Sequence, residues 1–399
     1  MSKGKFKKVE VLRGPFDPGG QPDTRTGQPM ELGFFAWNIK GGMTVSKGVM
    51  SNPERYQDFW HWDNAARMVQ LAEQIGFDYQ VPFARWIGQG GETNFNDSSL
   101  DFLTSAAATA PLTSKLALFS TAHVTFQFHP LHFAKFGATI DFISKGRWGL
   151  NIVTGYSAVE QAAFGIDPPV GHDESYDMAD EFTTLMKYLW TEDEPIEFEG
   201  QYYQSYGGFV SPKPVSNPRP VIMNAGNSEI GVDFACRQAD WVFVTAPTIE
   251  AYKERIELIN RKASQYKREV RVATMVYVIQ DSTDEKAFAT KRWLEEEVDR
   301  EATLNFIQGL KRTAYATEFF EEEQDDGFGG VGEEMFLRIA VGFGAWQMIG
   351  SFETVAEQIR ELHEIGIESI LMCFFDPLGG LHHMEDHIMP IMKKMGLRK

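Results

Sequence analysis

The chain has 399 residues, of which 43% are hydrophobic and 24% are charged, proportions typical of a globular protein with a buried core. Its 38 basic and 56 acidic residues give a formal net charge of −18, which argues against a nucleic-acid or anionic-membrane partner. The two cysteines lie far apart, no apolar run approaches the length of a membrane span, and no apolar segment follows the basic N-terminus. We therefore expect a cytoplasmic protein with reduced cysteines and no membrane partner.

Short buried strands alternate with amphipathic helices along the sequence after an N-terminal segment rich in proline and glycine. We expect residues 1–30 to form an irregular arm, and residues 31–399 to form a single domain. The predicted strands are 32–37, 77–81, 116–121, 148–153, 220–224, 241–245, 271–279 and 367–374. Helices are predicted at 64–75, 98–108, 133–143, 157–164 and 178–189, after the N-caps Ser228, Thr248 and Ser351, and at the end of the chain.

The order of these elements predicts the fold. Eight strand–helix units favour an α/β architecture with a parallel sheet, namely a (β/α)₈ TIM barrel with insertions. Residues 281–345 are acidic and too long for a simple loop, so we expect an insertion at about these positions. A doubly wound open sheet is the alternative, but no Gly-x-Gly-x-x-Gly motif follows a predicted strand.

The stretch 146–160, GRWGLNIVTGYSAVE, lies near the middle of this pattern. Asn151 is a polar residue within a strand that is otherwise apolar enough to be buried on both faces. Thr154, Gly155 and Tyr156 follow that strand, and α/β enzymes present polar groups to ligands at the carboxyl ends of strands. The alternative is a core strand with a hydrogen-bonded Asn and an ordinary turn.

The sequence GRWGLNIVTGY, followed by Glu160 and Gly165, resembles the strand-four signature of the bacterial-luciferase superfamily. The resemblance extends from about Gly33 to Pro390 and is closest to the two-component pyrimidine and dimethyl-sulfone monooxygenases. It implies a luciferase-like barrel that binds reduced FMN (FMNH2), supplied by a separate NAD(P)H:flavin reductase, and uses O2 to oxygenate a small-molecule substrate. It also implies a homo-oligomer, either a dimer or a tetramer.

The same resemblance implies which residues contact the flavin. The Ala225-Gly226-Asn227-Ser228 turn lies between a strand and a helix, where exposed N–H groups can bind an anion, and relatives use it for the flavin phosphate. Ser228 is alternatively only a helix N-cap. The remaining expected cofactor contacts are Ser175 and Tyr176 near the phosphate, Ala84 and Arg85 at the ring, and Asn151 with Glu160 behind it. Many relatives carry a basic residue in place of Ser175, so this chain departs from the pattern there.

A second group of residues is expected to line the mouth of the barrel and to act on the substrate. These candidate catalytic residues are Trp37, Asn38, Thr121, His129, Asn151 and Tyr156. His129 is a candidate for orienting the substrate, and a solvated loop histidine is the alternative. His123, His129 and His132 have a spacing that superficially suggests a metal, but no Cys or carboxylate completes the set. The His382–His387 segment favours a solvated helix face, and no metal is predicted.

The chemistry is expected to belong to the cofactor, because the sequence contains no nucleophile elbow, P-loop or Cys-x-x-Cys pair. The 31 Phe and 9 Trp residues favour a flat substrate, and we expect a nitrogen heterocycle such as a pyrimidine or a flavin-like ring. Sulfones, sulfonates and halogenated aromatics are alternative substrates. A deazaflavin-dependent dehydrogenase, a non-catalytic flavin-binding protein and a metal-dependent barrel hydrolase are alternative functions.

Overall fold

The computed structural model describes residues 4–126, 128–155, 157–311 and 327–399. In this part of the chain, eight parallel strands close into a barrel, because the last strand pairs with the first. In order around the barrel they are β2 (Glu31–Phe35), β3 (Tyr79–Val81), β4 (Ala117–His123), β5 (Trp148–Val153), β8 (Val221–Asn224), β9 (Trp241–Val244), β10 (Arg271–Asp281) and β12 (Ser369–Phe374). The predicted (β/α)₈ TIM barrel is confirmed.

The helices follow the barrel strands in sequence and bury their apolar faces against them. They are α1 (Pro53–Tyr56), α2 (Trp62–Ile75), α3 (Phe102–Thr109), α4 (Pro130–Ser144), α5 (Ala158–Ala163), α6 (His172–Thr191), α7 (Glu229–Gln238), α8 (Ile249–Gln265), α9 (Asp284–Glu296), α10 (Arg300–Lys311), α11 (Gly332–Ala340), α12 (Phe352–Glu364), α13 (Pro377–His383) and α14 (Met389–Lys394). In the described ranges, no helix is both long and apolar enough to cross a membrane.

Side-chain caps determine where several helices begin. Ser228, Thr248 and Ser351 each accept a hydrogen bond from the backbone N–H three residues later, so the predicted N-caps are confirmed. The helix predicted to begin at Ser98 instead begins at Phe102. Its cap is Asp101, whose carboxylate accepts hydrogen bonds from two backbone N–H groups of the first turn.

Large side chains fill the barrel interior below its carboxyl-terminal rim. Tyr79, Phe119 and Trp241 belong to one buried cluster, and the Tyr79 ring lies 5.8 Å from both of the other rings. A Cβ atom on Gly33 would lie 2.3 Å from the Tyr79 ring, so only glycine fits there. The interior is therefore a packed core, and space for a ligand is left at the rim.

Within the described ranges, four strands lie outside the barrel. β1 (Lys7–Val9), which the sequence did not predict, pairs with the hairpin formed by β6 (Ile196–Glu199) and β7 (Gln204–Gly208). The segment 195–204, which contains the sequence EGQYY, predicts this hairpin. β11 (Trp346–Ser351), also not predicted, pairs with Val276–Asp281, the half of β10 that follows its pairing with β9. The segment expected as an insertion, 281–345, contains α9, α10 and α11, and its residues 312–326 lie outside the described residues.

An ion-pair network centred on Asp17 ties the N-terminal segment to the barrel. The Asp17 carboxylate lies 3.1 Å from Lys187 Nζ, 2.6 Å from an Arg219 nitrogen and 2.5 Å from Arg268 Nε. Arg219 and Arg268 also pair with the buried Asp240. Burial alone would raise the pKa of Asp17, but Lys187, Arg268 and Arg219 outweigh that effect and hold its pKa well below the usual range.

Replacing Asp17 by Asn should lower the free energy of unfolding at neutral pH by about 3–5 kcal/mol, because it leaves buried cations without their partner. Because the folded-state pKa of Asp17 is depressed, its contribution is complete above the unfolded pKa of about 4 and is lost as the pH falls further. Urea denaturation from pH 7 to pH 3 measures both effects. Asp23→Asn is the matched control, since among the described residues that carboxylate accepts a hydrogen bond from the Arg25 backbone N–H alone. Equal urea midpoints for the Asp17→Asn and Asp23→Asn variants at pH 7 would contradict the stabilising role of Asp17.

Candidate active site

A cavity of about 450 Å³ lies at the carboxyl-terminal rim of the barrel, beneath the insertion helices α10 and α11. Several strands contribute polar side chains to its wall: Thr121 and His123 from β4, Asn151 from β5, Asn224 from β8 and Thr245 after β9. None of the described residues that line it is Asp, Glu, Lys or Arg. The cavity therefore combines neutral polar groups from the strands with apolar side chains from elsewhere.

One end of the cavity is formed where two helices begin. Ser228 caps α7, and its Oγ accepts a 3.2 Å hydrogen bond from Gly231 N and lies 3.4 Å from His172 Nε2. His172 opens α6, and Ser175 Oγ donates to His172 O at 2.6 Å. Since the first N–H groups of a helix have no partner within it, two such N-termini favour an anion here. Ser175, Tyr176, Asn227 and Ser228 all line this end of the cavity.

The turn before α7 is held tightly against its surroundings. A Cβ atom on Gly226 would lie 2.7 Å from Gly231 Cα, and one on Gly231 would lie 2.5 Å from the Tyr176 hydroxyl. The Asn227 side chain donates to Thr245 Oγ1 at 2.6 Å and accepts from Thr245 N at 3.2 Å. Gly226 does not line the cavity, and together with Asn227 it determines the shape of the turn.

Two asparagines in the cavity wall have acceptor atoms with no hydrogen-bond partner among the described residues. Asn151 Nδ2 donates to Thr121 Oγ1 at 3.3 Å, and Thr121 donates in turn to Pro82 O at 3.1 Å. Asn224 Nδ2 donates to Ile152 O at 2.7 Å. The Oδ1 atoms of both asparagines are buried and unpaired, which costs about 1–3 kcal/mol each. A ligand that donates hydrogen bonds in the cavity would satisfy both oxygen atoms.

The loop after β3 forms another part of the wall. Ala84 lines the cavity, whereas the neighbouring Arg85 and Glu160 lie behind it. Glu160 Oε1 accepts hydrogen bonds from Trp86 N at 2.7 Å and Ile87 N at 3.2 Å and lies 3.8 Å from Arg85. Arg85 and Glu160 therefore hold the backbone that follows Ala84 rather than lining the cavity themselves.

Three of the candidate catalytic residues do not line the cavity. Trp37 is fully buried and donates to Gln80 Oε1 at 2.6 Å. The side chain of Asn38 bonds to the backbone of Phe83 and Leu100. His129 caps α4, and its Nε2 lies 2.9 Å from Gln204 O. The structure therefore places these three side chains outside the cavity wall, each bonded to nearby structure, and their catalytic role stays a prediction. Tyr156 lies outside the described residues.

Two histidines that were not among the predicted site residues lie in the cavity wall: His123, considered before only for its spacing with His129 and His132, and His172, which was not considered. His123 lies two residues after Thr121 on β4, so strand alternation places both side chains on one face. Burial, together with the nearby Arg85, lowers the pKa of His123 to about 3, so its imidazole is neutral at pH 7. His172 lines the same end of the cavity as Ser175. Alternation along β4 could have identified His123.

The opposite end of the cavity is apolar. It is lined by Phe35, Phe83, Met275, Phe306, Leu310, Met335, Ile339 and Phe343. Phe343 has a left-handed backbone (φ 57°) between Gly342 and Gly344, which also have positive φ angles. Its ring stacks on Phe306 with centroids 4.5 Å apart and meets Phe83 edge-on at 5.7 Å. The turn thus presents an aromatic wall to a ligand.

The arrangement does not suggest metal chemistry. Across the ranges that the structure describes, no three His, Cys, Asp or Glu residues are grouped so that they could hold a metal ion. The polar end suits an anion, the central asparagines suit hydrogen-bond donors, and the apolar end suits an uncharged group. The cavity can therefore hold an extended ligand with one anionic end next to a smaller uncharged molecule.

Comparison with characterised proteins identifies close similarity along nearly the whole chain. An FMNH2-dependent dimethylsulfone monooxygenase from Pseudomonas putida is 28% identical over 368 residues, which cover 92% of this chain and 96% of the relative. Pyrimidine monooxygenase RutA from Escherichia coli O127:H6 is 32% identical over 375 residues, which cover 91% of this chain and 96% of the relative.

Solved structures share the fold. Riboflavin lyase (RcaE), solved with modified FMN and riboflavin, superposes with a TM-score of 0.81 at 23% identity and covers 93% of this chain and 92% of its own. DmoA from Hyphomicrobium sulfonivorans has a TM-score of 0.79 at 21% identity, with 93% and 89% covered. Residues 30–369 also match the family model described as luciferase-like monooxygenase. The chain therefore belongs to the luciferase-like monooxygenase family.

Proposed function

We propose that this chain is a two-component monooxygenase that uses reduced FMN and O2 to oxygenate a small uncharged organic molecule. The observation that carries the proposal is the division of one cavity into an end where α6 and α7 begin and an apolar end beside the insertion. The relatives named as FMNH2-dependent dimethylsulfone monooxygenase and pyrimidine monooxygenase support it. A separate NAD(P)H:flavin reductase supplies the reduced FMN.

The residues in the cavity fit FMN. Ser175, Tyr176, Ser228 and His172 would hold the phosphate, with the first-turn N–H groups of α7 as additional donors. A local site of this kind is needed because the net charge of −18 disfavours anions in general. Gly226 and Asn227 would shape the phosphate turn.

At the other end of the cofactor, Ala84 and Asn151 would face the flavin ring, with Arg85 and Glu160 supporting them. The unpaired Asn151 Oδ1 suits a ring N–H donor. Thr121 orients the Asn151 amide by accepting its Nδ2–H. Reduced FMN, when bound, supplies the electrons that activate O2, while the protein positions the reactants and excludes water.

The apolar end favours an uncharged substrate. A sulfonate is disfavoured, because no Lys or Arg side chain lines the cavity among the described residues and a buried unpaired anion is costly. The Phe306–Phe343 stack suits a flat ring, and the neutral His123 supplies a hydrogen-bonding group for a ring N–H or C=O. A nitrogen heterocycle is therefore our first candidate. The similarity to a dimethylsulfone monooxygenase supports a sulfone as the second.

Ser228→Asp should weaken FMN binding about 10- to 100-fold and leave riboflavin binding within about twofold. Asp is also a good N-cap, so α7 is preserved, but its charge repels the phosphate that riboflavin lacks. Flavin-fluorescence titration measures both dissociation constants. Thr248→Asp makes a similar cap exchange on α8 and should change neither constant. Equal weakening of FMN and riboflavin binding would contradict the phosphate assignment.

A substrate panel tests the preference for uncharged molecules. The protein is incubated with FMN, NADH, a flavin reductase and O2, and product formation is followed for uracil, dimethyl sulfone and an alkanesulfonate. We expect product from an uncharged compound, with uracil favoured, and none from the alkanesulfonate. Oxygenation of the alkanesulfonate would overturn the substrate assignment. Oxygen consumption that never exceeds the reductase-only rate with any compound would overturn the monooxygenase assignment.

Phe343→Ala should raise the substrate KM about tenfold, because it removes one face of the aromatic wall, and should leave the dissociation constant of FMN within about twofold. Steady-state kinetics and flavin titration separate the two effects. Phe142→Ala is the control, because that ring is 58% exposed on α4 and should not affect either constant. If Phe343→Ala weakened FMN binding as much as substrate binding, the two ends of the cavity would not be separate sites.

A further inference from the structure

Asn224 lies at the carboxyl end of β8 and is 1% exposed. Its Nδ2 donates to Ile152 O at 2.7 Å. A backbone carbonyl only accepts hydrogen bonds, so this contact fixes which way the amide points. Asn224 Oδ1 must therefore face away from Ile152.

The direction of Asn224 Oδ1 places it near the phosphate turn. A Cβ atom built on Gly226 would lie 2.8 Å from this oxygen, and Gly226 is two residues before Ser228. On the other side, Asn224 pairs in register with Ile152, the neighbour of Asn151. Asn224 thus lies between the expected ring contact and the expected phosphate contact, on the wall of the same cavity.

No protein group among the described residues satisfies this oxygen, although it is buried. An amide oxygen can only accept, so the missing partner is a hydrogen-bond donor, and a ligand in the cavity that Asn224 lines would supply one. The part of FMN that connects the flavin ring to the phosphate is the ribityl chain, whose hydroxyl groups are donors. The oxygen and the chain match in both chemistry and position along the cavity.

We propose that Asn224 Oδ1 accepts a hydrogen bond from a ribityl hydroxyl group and makes the site selective for flavins with a hydroxylated side chain. This inference rests on the proposed binding of FMN in the cavity. Asn224 acts as a positioning residue. This hydrogen bond would hold the ribityl chain in place between the ring and the phosphate, and would thereby determine how far the flavin ring extends toward Asn151.

The test compares riboflavin with lumiflavin, which has the same ring system but a methyl group in place of the ribityl chain. Neither ligand has a phosphate, so the comparison isolates the ribityl chain. Asn224→Ala should weaken riboflavin and FMN binding about tenfold and leave lumiflavin binding within about twofold, as measured by flavin-fluorescence titration. Asn224→Ser, which keeps a small polar side chain, is measured in parallel in case the alanine variant does not fold.

Asn96→Gly is the matched control. Asn96 is also 1% exposed with an unpaired Oδ1, but it does not line the cavity, and its φ of 57° suits glycine. It should not change the affinity for any of the three flavins.

The outcomes separate this inference from the proposed function. Loss of riboflavin affinity with lumiflavin unaffected, or with lumiflavin unbound by wild type and variant alike, supports the role of Asn224. Equal loss for riboflavin and lumiflavin, or no loss for either, overturns that role while FMN binding by the wild type still stands. A wild-type protein that binds neither FMN nor riboflavin overturns the proposed function, and this inference with it.

Discussion

Closure of the parallel barrel is the constraint on which the rest of the structure depends. Closure brings the carboxyl ends of eight strands to one rim, so residues far apart in sequence, such as Thr121 and Asn224, share a cavity wall. Tyr79, Phe119 and Trp241 fill the interior below, so the rim is where a ligand finds space. The network around Asp17 ties the N-terminal segment to this barrel from outside the cavity.

The polarity of the cavity follows from backbone and neutral groups rather than from charged side chains. The helices α6 and α7 begin together at one end and favour an anion there. The side chains of Asn151 and Asn224 donate hydrogen bonds through their amide nitrogens, while their Oδ1 atoms have no partner among the described residues. At the far end, aromatic and methionine side chains leave little that could satisfy a charged substrate. A cofactor with an anionic tail, a hydroxylated linker and a flat ring fits this sequence of environments.

Much of the fold was predictable because buried parallel strands are short apolar runs and the helices carry caps. The lining of the cavity was predictable where a residue lies on a strand or at a helix cap, as Thr121, Asn151 and Ser228 do. It was not predictable where the chain leaves a strand. Ala36 takes a left-handed conformation (φ 57°), which ends the alternation of β2 before Trp37, and Trp37 is then buried in the core. Pro130 occupies the first position of α4, so His129, the residue before it, becomes the N-cap of that helix.

The strands β1 and β11 could not be predicted from the sequence either. Each forms by pairing with a strand far away in the chain, β1 with β6 and β11 with β10.

The most direct test of the account is an anaerobic titration of the protein with reduced FMN, followed by quenching of tryptophan fluorescence. We expect saturable binding of one reduced FMN per chain, with an affinity that falls when inorganic phosphate is added as a competitor for the end of the cavity at Ser228. Absence of saturable binding under these conditions would show that the rim cavity does not hold reduced FMN.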